Sequence, residues 1–149
     1  MSFPVQRVTL VTLGVADLAR ARGFYARLGW VPAMEAEGVS FYQMNGLALG
    51  LFGLGDLAKD QGREGAALGI GAVTLAQNFA DRAGVDAAYA AALAAGAVAL
   101  KAPEAVFWGG YSGYWADLDG HVWEVAHNPF WPLQEDGSLS VPAPEQGPE

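Results

Sequence analysis

The residues best suited to chemistry in this chain are concentrated in the stretch GYWADLDGHVWEVAH, residues 113–127. It places one acid, Glu124, between His121 and His127, which are the two histidines of the sequence. Carboxylate and imidazole groups together are ligands for zinc and other transition metals. The first question is whether these three side chains form a metal site or belong to an ordinary turn and strand.

The spacing of the three side chains argues against a local metal site. Residues 122–126 are predicted to form a strand, in which successive side chains point to opposite faces. Glu124 then lies on one face, while His121 and His127 lie on the other. We interpret His121 as a solvated hairpin residue and His127 as a hydrogen-bonded histidine at the strand end. Glu124 remains as an inward acid that needs a partner, which is solvent, a hydroxyl such as that of Tyr114, or a ligand.

Length and composition limit the class of protein. The 149 residues are enough for a single domain with a core, and the hydrophobic fraction of 52% argues against disorder. The absence of cysteine excludes disulfides, zinc–thiolate sites and thiol nucleophiles, and it is typical of the reducing cytoplasm, where we expect the protein to reside. The N-terminal residues lack the pattern of a signal peptide, and no apolar stretch is long enough for a membrane span.

The charge of the chain limits its partners. A formal net charge of −8 argues against nucleic acid, whose binding proteins carry basic patches. The acidity favours a cationic or neutral small molecule as ligand, although solubility alone is a sufficient reason for it.

The chain is predicted to consist of two similar halves. Each contains an apolar strand, a capped helix, a further strand and a hairpin whose turn ends in glycine. The elements predicted for the first half are a strand at 7–15, a helix at 18–28 after Asp17, a weak strand around 31–40, and strands at 41–44 and 47–52 joined by Asn45-Gly46. Those predicted for the second half are a strand at 71–77, a helix at 85–95 after Asp81 or Asp86, a strand at 97–100, and strands at 111–116 and 121–127.

Equivalent residues recur at fixed offsets, which supports a repeat. Asp17 precedes Asp81 and Tyr25 precedes Tyr89 by 64 residues, and Gly46 precedes Gly120 by 74 residues. We therefore predict a single α+β domain over residues 1–149 that contains two βαβββ modules. Its parts are module one at about 5–55, a polar, glycine-rich linker at 53–65, module two at about 66–130 and a tail at 131–149. The aromatic segment 128–133, where module two meets the tail, is expected to dock on the body or a partner chain, and residues 141–149 are expected to fray.

Two βαβββ modules resemble the vicinal oxygen chelate superfamily, which includes glyoxalase I, bleomycin-resistance proteins and extradiol dioxygenases. The matching stretches are VTLGVADLARARGFYARLGW (11–30) and YWADLDGHVWEVAHNPF (114–130), in which Leu118 replaces a proline of the family's turn. The resemblance implies a cupped, barrel-like mixed sheet with helices on the outer face, and a homodimer. It also implies a divalent metal in the cup, held by one residue from the first and last strand of each module.

The residues at the four family ligand positions do not suit a metal. Glu124 corresponds to the family's glutamate, and the offset of 74 residues makes Gly50 its counterpart in module one. The family's other two ligands lie seven residues before the capping aspartates, which gives Leu10 and Thr74. One carboxylate cannot hold a divalent ion that needs three or four donors. We therefore expect no cofactor, and a divalent metal only if this assignment of positions is wrong.

An aromatic-rich stretch, FWGGYSGYW (107–115), precedes the last strand. Glycine in a strand marks a bulge or the close approach of another group. The rings are either a ligand wall or packing for the core and a dimer, and composition does not separate these two roles. The ligand-wall interpretation predicts these site residues: Phe41, Phe52, Trp108, Tyr111, Tyr114, Trp115 and Glu124.

Three functions follow from these observations. The first is a small-molecule-binding protein similar to the bleomycin-resistance branch, without the usual metal. The second is a lyase, isomerase or dioxygenase of the glyoxalase type, with Glu124 as general base or as a metal ligand supplemented by Gln77, His127 or a partner subunit. The third is a protein that acts through protein contacts alone.

Overall fold

A computed structural model describes residues 5–143 of the chain, and within them no helix is both long and apolar enough to cross a membrane. Most of the predicted frayed segment 141–149 lies outside the described residues. The elements in chain order are β1 (Leu10–Val15), α1 (Leu18–Arg27), β2 (Met34–Ala36), β3 (Val39–Gln43), β4 (Ala48–Gly53), α2 (Leu54–Asp60), β5 (Thr74–Asn78), α3 (Arg82–Ala95), β6 (Val98–Ala105), β7 (Tyr111–Ala116) and β8 (Val122–His127).

The strands form two curved, unclosed four-stranded sheets with the same topology. The strand order is β1-β4-β3-β2 in the first sheet and β5-β8-β7-β6 in the second. In each sheet the first strand of the module pairs in parallel with the last strand, and the other pairs are antiparallel. The prediction of an α+β fold with two βαβββ modules is confirmed.

The N-terminal caps of α1 and α3 are equivalent aspartates of the predicted repeat. The Asp17 side chain accepts a hydrogen bond from the backbone N–H of Arg20 at 3.0 Å, and Asp81 accepts one from that of Gly84 at 2.8 Å. The second cap is therefore Asp81 and not Asp86, which places the start of α3 three residues earlier than predicted. The helix ends at Gly96 in the left-handed conformation with φ of 110°, which glycine adopts without steric cost.

On one face the first sheet packs with α1 and the second sheet packs with α3. This face of each sheet is here called the helix face, and the opposite one the open face. The helix faces and α1 bury one shared hydrophobic core, which contains Phe24, Tyr25, Leu51, Trp115 and Trp123. The two tryptophan rings are stacked with centroids 5.5 Å apart, and Phe24 from module one lies 5.7 Å from Trp115 of module two. Because large rings from both modules fill the same core, the modules are held together by apolar burial.

The predicted linker contains a helix that the sequence analysis missed. Helix α2 lies on the open face of the first sheet, where a Cβ built at Gly14 would be 2.7 Å from Leu54 and 3.1 Å from Leu57. A seven-residue helix is marginal in isolation, so packing against β1 and not local propensity stabilises it. Strand β6 is also longer than the predicted 97–100, because it continues past two irregularities in register.

The segment 128–133 docks only in part. The Phe130 ring lies against Gly109, where a Cβ would meet it at 2.9 Å, yet Phe130 remains 64% exposed. Farther along, the Asn45 side chain donates a hydrogen bond to the Asp136 carbonyl oxygen at 2.8 Å. This bond ties the chain after β8 to the first hairpin turn.

Candidate functional site

Glu124 and Tyr114 form a hydrogen-bonded pair on the open face of the second sheet. Tyr114 lies opposite Glu124 in the β7–β8 pair, and its hydroxyl donates to Glu124 Oε2 at 2.8 Å. Ala76 of β5 lies on the other side of Glu124, and Lys101 of β6 lies beyond Tyr114. Of the three partners that the sequence left open for the acid, which were solvent, a hydroxyl and a ligand, the Tyr114 hydroxyl is the one in contact with it.

The pair leaves part of the carboxylate available. Lys101 forms its ion pair with Glu104 at 3.0 Å, and within residues 5–143 no cationic side chain pairs with Glu124. The hydrogen bond to Glu124, followed by loss of solvent, raises the pKa of Tyr114, so its hydroxyl remains a protonated donor. Glu124 is half-buried and can therefore accept a hydrogen bond or a positive charge from a ligand.

The corresponding place on the first sheet is filled by an aromatic ring. Phe41 and Thr12 flank Gly50 on the open face, and Met34 lies beyond Phe41. A Cβ built at Gly50 would lie 3.2 Å from Phe41 Cε1 and 3.4 Å from Thr12 Oγ1. A glutamate side chain would have to displace the Phe41 ring, which gives a physical reason why the two modules differ here.

The residues present do not fit a divalent metal. Of the four positions identified in the sequence, Leu10 and Gly50 have no side-chain donor, and Thr74 and Glu124 supply one hydroxyl and one carboxylate. In the structure, Gly50 pairs with Thr12 of β1 and Glu124 pairs with Ala76 of β5, each two residues beyond the position identified in the sequence. Using Thr12 and Ala76 instead adds no carboxylate. Within the described part of the chain, no three His, Asp or Glu side chains lie close enough to hold an ion.

The two histidines bind backbone carbonyl groups. His121 Nε2 lies 2.6 Å from the Gly14 carbonyl oxygen, so this nitrogen carries the proton and donates. The interpretation of His121 as a solvated residue is therefore wrong, because its ring binds β1 next to the bond from the Ala16 N–H to Asp119 Oδ1 at 2.8 Å. His127 Nδ1 donates to the Phe79 carbonyl oxygen at 3.0 Å, as predicted for a strand end.

The predicted aromatic site residues are divided among three places. Tyr114 is beside Glu124, and Phe41 and Phe52 lie on the open face of the first sheet. Trp115 is 1% exposed on the helix face and so belongs to the core. Tyr111 is also on the helix face.

Tyr111 and Trp108 make local contacts away from Glu124. The Tyr111 hydroxyl donates to Asp86 of α3 at 2.6 Å, and Arg82 lies over its ring at 5.0 Å. Trp108 occupies a loop and covers Gly110, where its ring fills the space that a Cβ would need. We therefore leave Trp108, Tyr111 and Trp115 out of the site that we propose.

A cavity of about 560 Å³ between the modules is a feature that sequence reasoning missed. Its walls include Val11 and Leu49 of module one and Leu75 and Trp123 of module two. These residues occupy ordinary apolar strand positions, so no motif marks them. Gln77, the candidate additional metal ligand, also lines this cavity.

Comparisons with known proteins agree with this architecture. The family model of the Glyoxalase/Bleomycin resistance protein/Dioxygenase superfamily matches residues 7–125. A glyoxalase-related enzyme from Fulvimarina pelagi shares 37% sequence identity, with a TM-score of 0.85 over 93% of this chain and 100% of that chain. No curated protein matches the sequence.

Two more distant structures share the fold. A glyoxalase/bleomycin resistance protein/dioxygenase family enzyme from Burkholderia phytofirmans PsJN has a TM-score of 0.70 at 18% identity, over 80% of this chain and 96% of that one. A lactoylglutathione lyase from Agrobacterium tumefaciens has a TM-score of 0.66 at 22% identity, over 88% and 100% of the two chains. The extent of the family match and the identity to the Fulvimarina protein show that the chain belongs to the Glyoxalase/Bleomycin resistance protein/Dioxygenase superfamily.

Proposed function

We propose that this protein binds a small cationic or neutral molecule on its open sheet faces, without the divalent metal usual in its superfamily. The observation that carries the proposal is the half-buried Glu124 carboxylate, which accepts one hydrogen bond from Tyr114 and pairs with no cation among residues 5–143. A partly desolvated carboxylate interacts more strongly with a positive charge than a fully solvated one does. The net charge of −8 adds a long-range attraction for cations.

A homodimer is part of this proposal. Apolar residues on the open faces are exposed in the single chain: Leu10 is 45%, Met34 58% and Val98 56% exposed. Met34 shares its row with Phe41, and Val98 lies opposite Ala116, on the face that carries Tyr114. A second copy that covers these faces would remove them from water and enclose a ligand beside Glu124.

Two matched probes test the role of the carboxylate. The probes are 1-naphthylmethylamine, which is cationic at neutral pH, and 1-naphthylmethanol, which is neutral and of similar shape. Titration calorimetry should show tighter binding of the amine by roughly tenfold or more, because a hydrogen bond to a charged group contributes about 1.5–3 kcal/mol. Glu124→Gln should remove this preference and leave binding of the alcohol unchanged.

The control for the probe experiment is Glu104→Gln, because Glu104 is an exposed acid on the same sheet that is paired with Lys101. That variant should keep the preference for the amine. Equal affinity of the wild-type protein for both probes would contradict the proposed role of Glu124. Sedimentation velocity of the same samples tests the dimer.

A second candidate function is that of an enzyme, because the Fulvimarina protein at 37% identity is described as a glyoxalase-related enzyme. Glu124 would then remove a proton from a carbon next to a carbonyl group, and the Tyr114 hydroxyl would hold the carboxylate in place through the hydrogen bond that it donates to it. The test is proton NMR of deuterium exchange into a panel of α-hydroxyketones. Exchange that the wild-type protein catalyses and that is lost in Glu124→Gln would favour this function over binding alone.

A further inference from the structure

We propose that the chain has a second small-molecule site, in the cavity between the two modules, on the opposite side of both sheets from Glu124. The cavity has a volume of about 560 Å³, within the range of pockets that enclose organic ligands. Val11 and Leu49 supply its walls from module one, and Leu75 and Trp123 supply those from module two. Trp123 is the neighbour of Glu124 in β8, so alternation along the strand directs the two side chains to different sites.

The chemistry of the lining specifies an uncharged ligand. None of the residues that line the cavity carries a charged side chain, so an ion would be bound without compensation. Its polar groups are amides and a hydroxyl, from Asn45, Gln77, Asn78 and Ser138. Gln77 shares its face of the sheet with Trp123, and within residues 5–143 its side-chain amide makes no hydrogen bond. The matching ligand is an uncharged, mainly apolar molecule with a carbonyl, amide or hydroxyl group.

The chain after β8 forms one side of the cavity and is itself held in place. Leu133, Ser138 and Leu139 contribute to the lining. Asn45 donates to the Asp136 carbonyl oxygen at 2.8 Å, and the Ser138 N–H and hydroxyl donate to Asp136 Oδ1 at 2.9 Å and 2.6 Å. These bonds fix a short turn, here called the cover (residues 133–139), against the first hairpin.

The cover lies outside the residues shared with the superfamily model. That model matches residues 7–125, whereas the cover begins at residue 133. The cavity is therefore built in part from a segment additional to the repeated modules. This origin distinguishes it from the open-face site at Glu124, whose residues lie on the second sheet within the matched range.

Nile red, a neutral dye whose fluorescence rises in apolar surroundings, tests this site. We expect saturable binding with one dye per chain. Leu75→Trp, which places a larger ring in the cavity, should weaken binding by about tenfold or more, because it removes the volume in which the apolar dye is buried. Asn45→Ala releases the cover and removes one polar lining group but leaves the apolar walls unchanged. It should weaken binding less than Leu75→Trp does, and it tests the site independently if Leu75→Trp folds poorly.

Two control variants separate this site from other apolar surfaces. Glu124→Gln should leave the affinity for Nile red unchanged, and Leu75→Trp should leave the preference for 1-naphthylmethylamine unchanged. Phe107→Ser removes a fully exposed ring and should have no effect on the dye. Binding that survives both Leu75→Trp and Asn45→Ala, or that is lost in Phe107→Ser or Glu124→Gln, would overturn the proposal.

Discussion

Tyr25 and Asp117 join the two modules through a buried hydrogen bond, in which the tyrosine hydroxyl donates to Asp117 Oδ2 at 2.7 Å. Trp123 Nε1 donates to the oxygen of the same hydroxyl at 3.1 Å. The other carboxylate oxygen, Asp117 Oδ1, accepts the N–H groups of Asp119 and His121, both at 2.9 Å. This network holds the β7–β8 turn against α1, and it thereby sets the position of the strand that carries the candidate site.

Tyr25→Phe is expected to destabilise the protein by about 1–3 kcal/mol, because it leaves a buried carboxylate oxygen and an indole N–H without their partner. Urea unfolding followed by tryptophan fluorescence measures the change. The matched control is Tyr89→Phe, at the equivalent position of the second repeat, whose hydroxyl makes no hydrogen bond among the described residues. Equal losses in the two variants would show that the network does not stabilise the fold.

Stability is expected to decrease at alkaline pH because of the same tyrosine. Burial, and next the nearby charge of Asp117, raise the pKa of Tyr25 far above its ordinary value of 10.0. The folded state therefore holds this proton more tightly than the unfolded chain does. The contribution of the Tyr25 hydroxyl to the free energy of unfolding is complete below pH 10 and is lost as the pH rises above it.

The alkaline decrease is measurable as the free energy of unfolding between pH 8 and 12. In Tyr25→Phe the free energy of unfolding should fall less steeply above pH 10 than in the wild type. The difference in slope is at most about 1.4 kcal/mol per pH unit, because the variant lacks one titrating proton. Tyr114, whose pKa is also raised, continues to contribute in that variant. Superimposable pH profiles of the wild type and the variant would contradict this assignment.

Gly113→Ala is expected to destabilise the fold by about 1–3 kcal/mol, as overpacking in a core does. A Cβ at residue 113 would lie 2.8 Å from the backbone nitrogen of Pro103 and 2.9 Å from the Lys101 carbonyl oxygen, and backbone cannot move as easily as a side chain. Gly55→Ala in α2 is the control, since a Cβ there meets nothing within 4 Å and alanine favours a helix. Thermal unfolding should show a lower Tm for the first variant and an unchanged or higher Tm for the second.

Removal of metal is expected to leave both stability and ligand binding unchanged. A chelator should change neither the Tm nor the affinity for 1-naphthylmethylamine, because the four candidate positions supply only one carboxylate. Elemental mass spectrometry after separate exposure to zinc, nickel, manganese and iron checks the same point. One tightly held metal per chain would show that other residues bind it and would restore metal-dependent chemistry as the leading hypothesis.

The features predicted correctly are those that depend on neighbours in sequence. Asp17 caps its helix because its side chain reaches an N–H three residues later, and the hairpin glycines Gly46 and Gly120 both have positive φ. For the second helix the sequence left Asp81 and Asp86 as alternatives, and the structure has Asp81. The alternation of side chains along β8 correctly predicted that Glu124 lies on the face opposite Trp123 and Val125. It also placed His121 on the other face, but it could not show that the ring reaches the carbonyl of Gly14, 107 residues away.

The sequence by itself determined the repeated order of elements, the cap of α1, the turn positions, the residues at the four family positions and the hairpin that carries Tyr114 and Glu124. These follow from local sterics and from a period of two residues in strands. Only the tertiary structure decided that α2 forms against Gly14, that Trp115 packs on Trp123, and that a cavity lies between the modules. Each of these depends on contacts between residues distant in sequence, which local propensities do not encode.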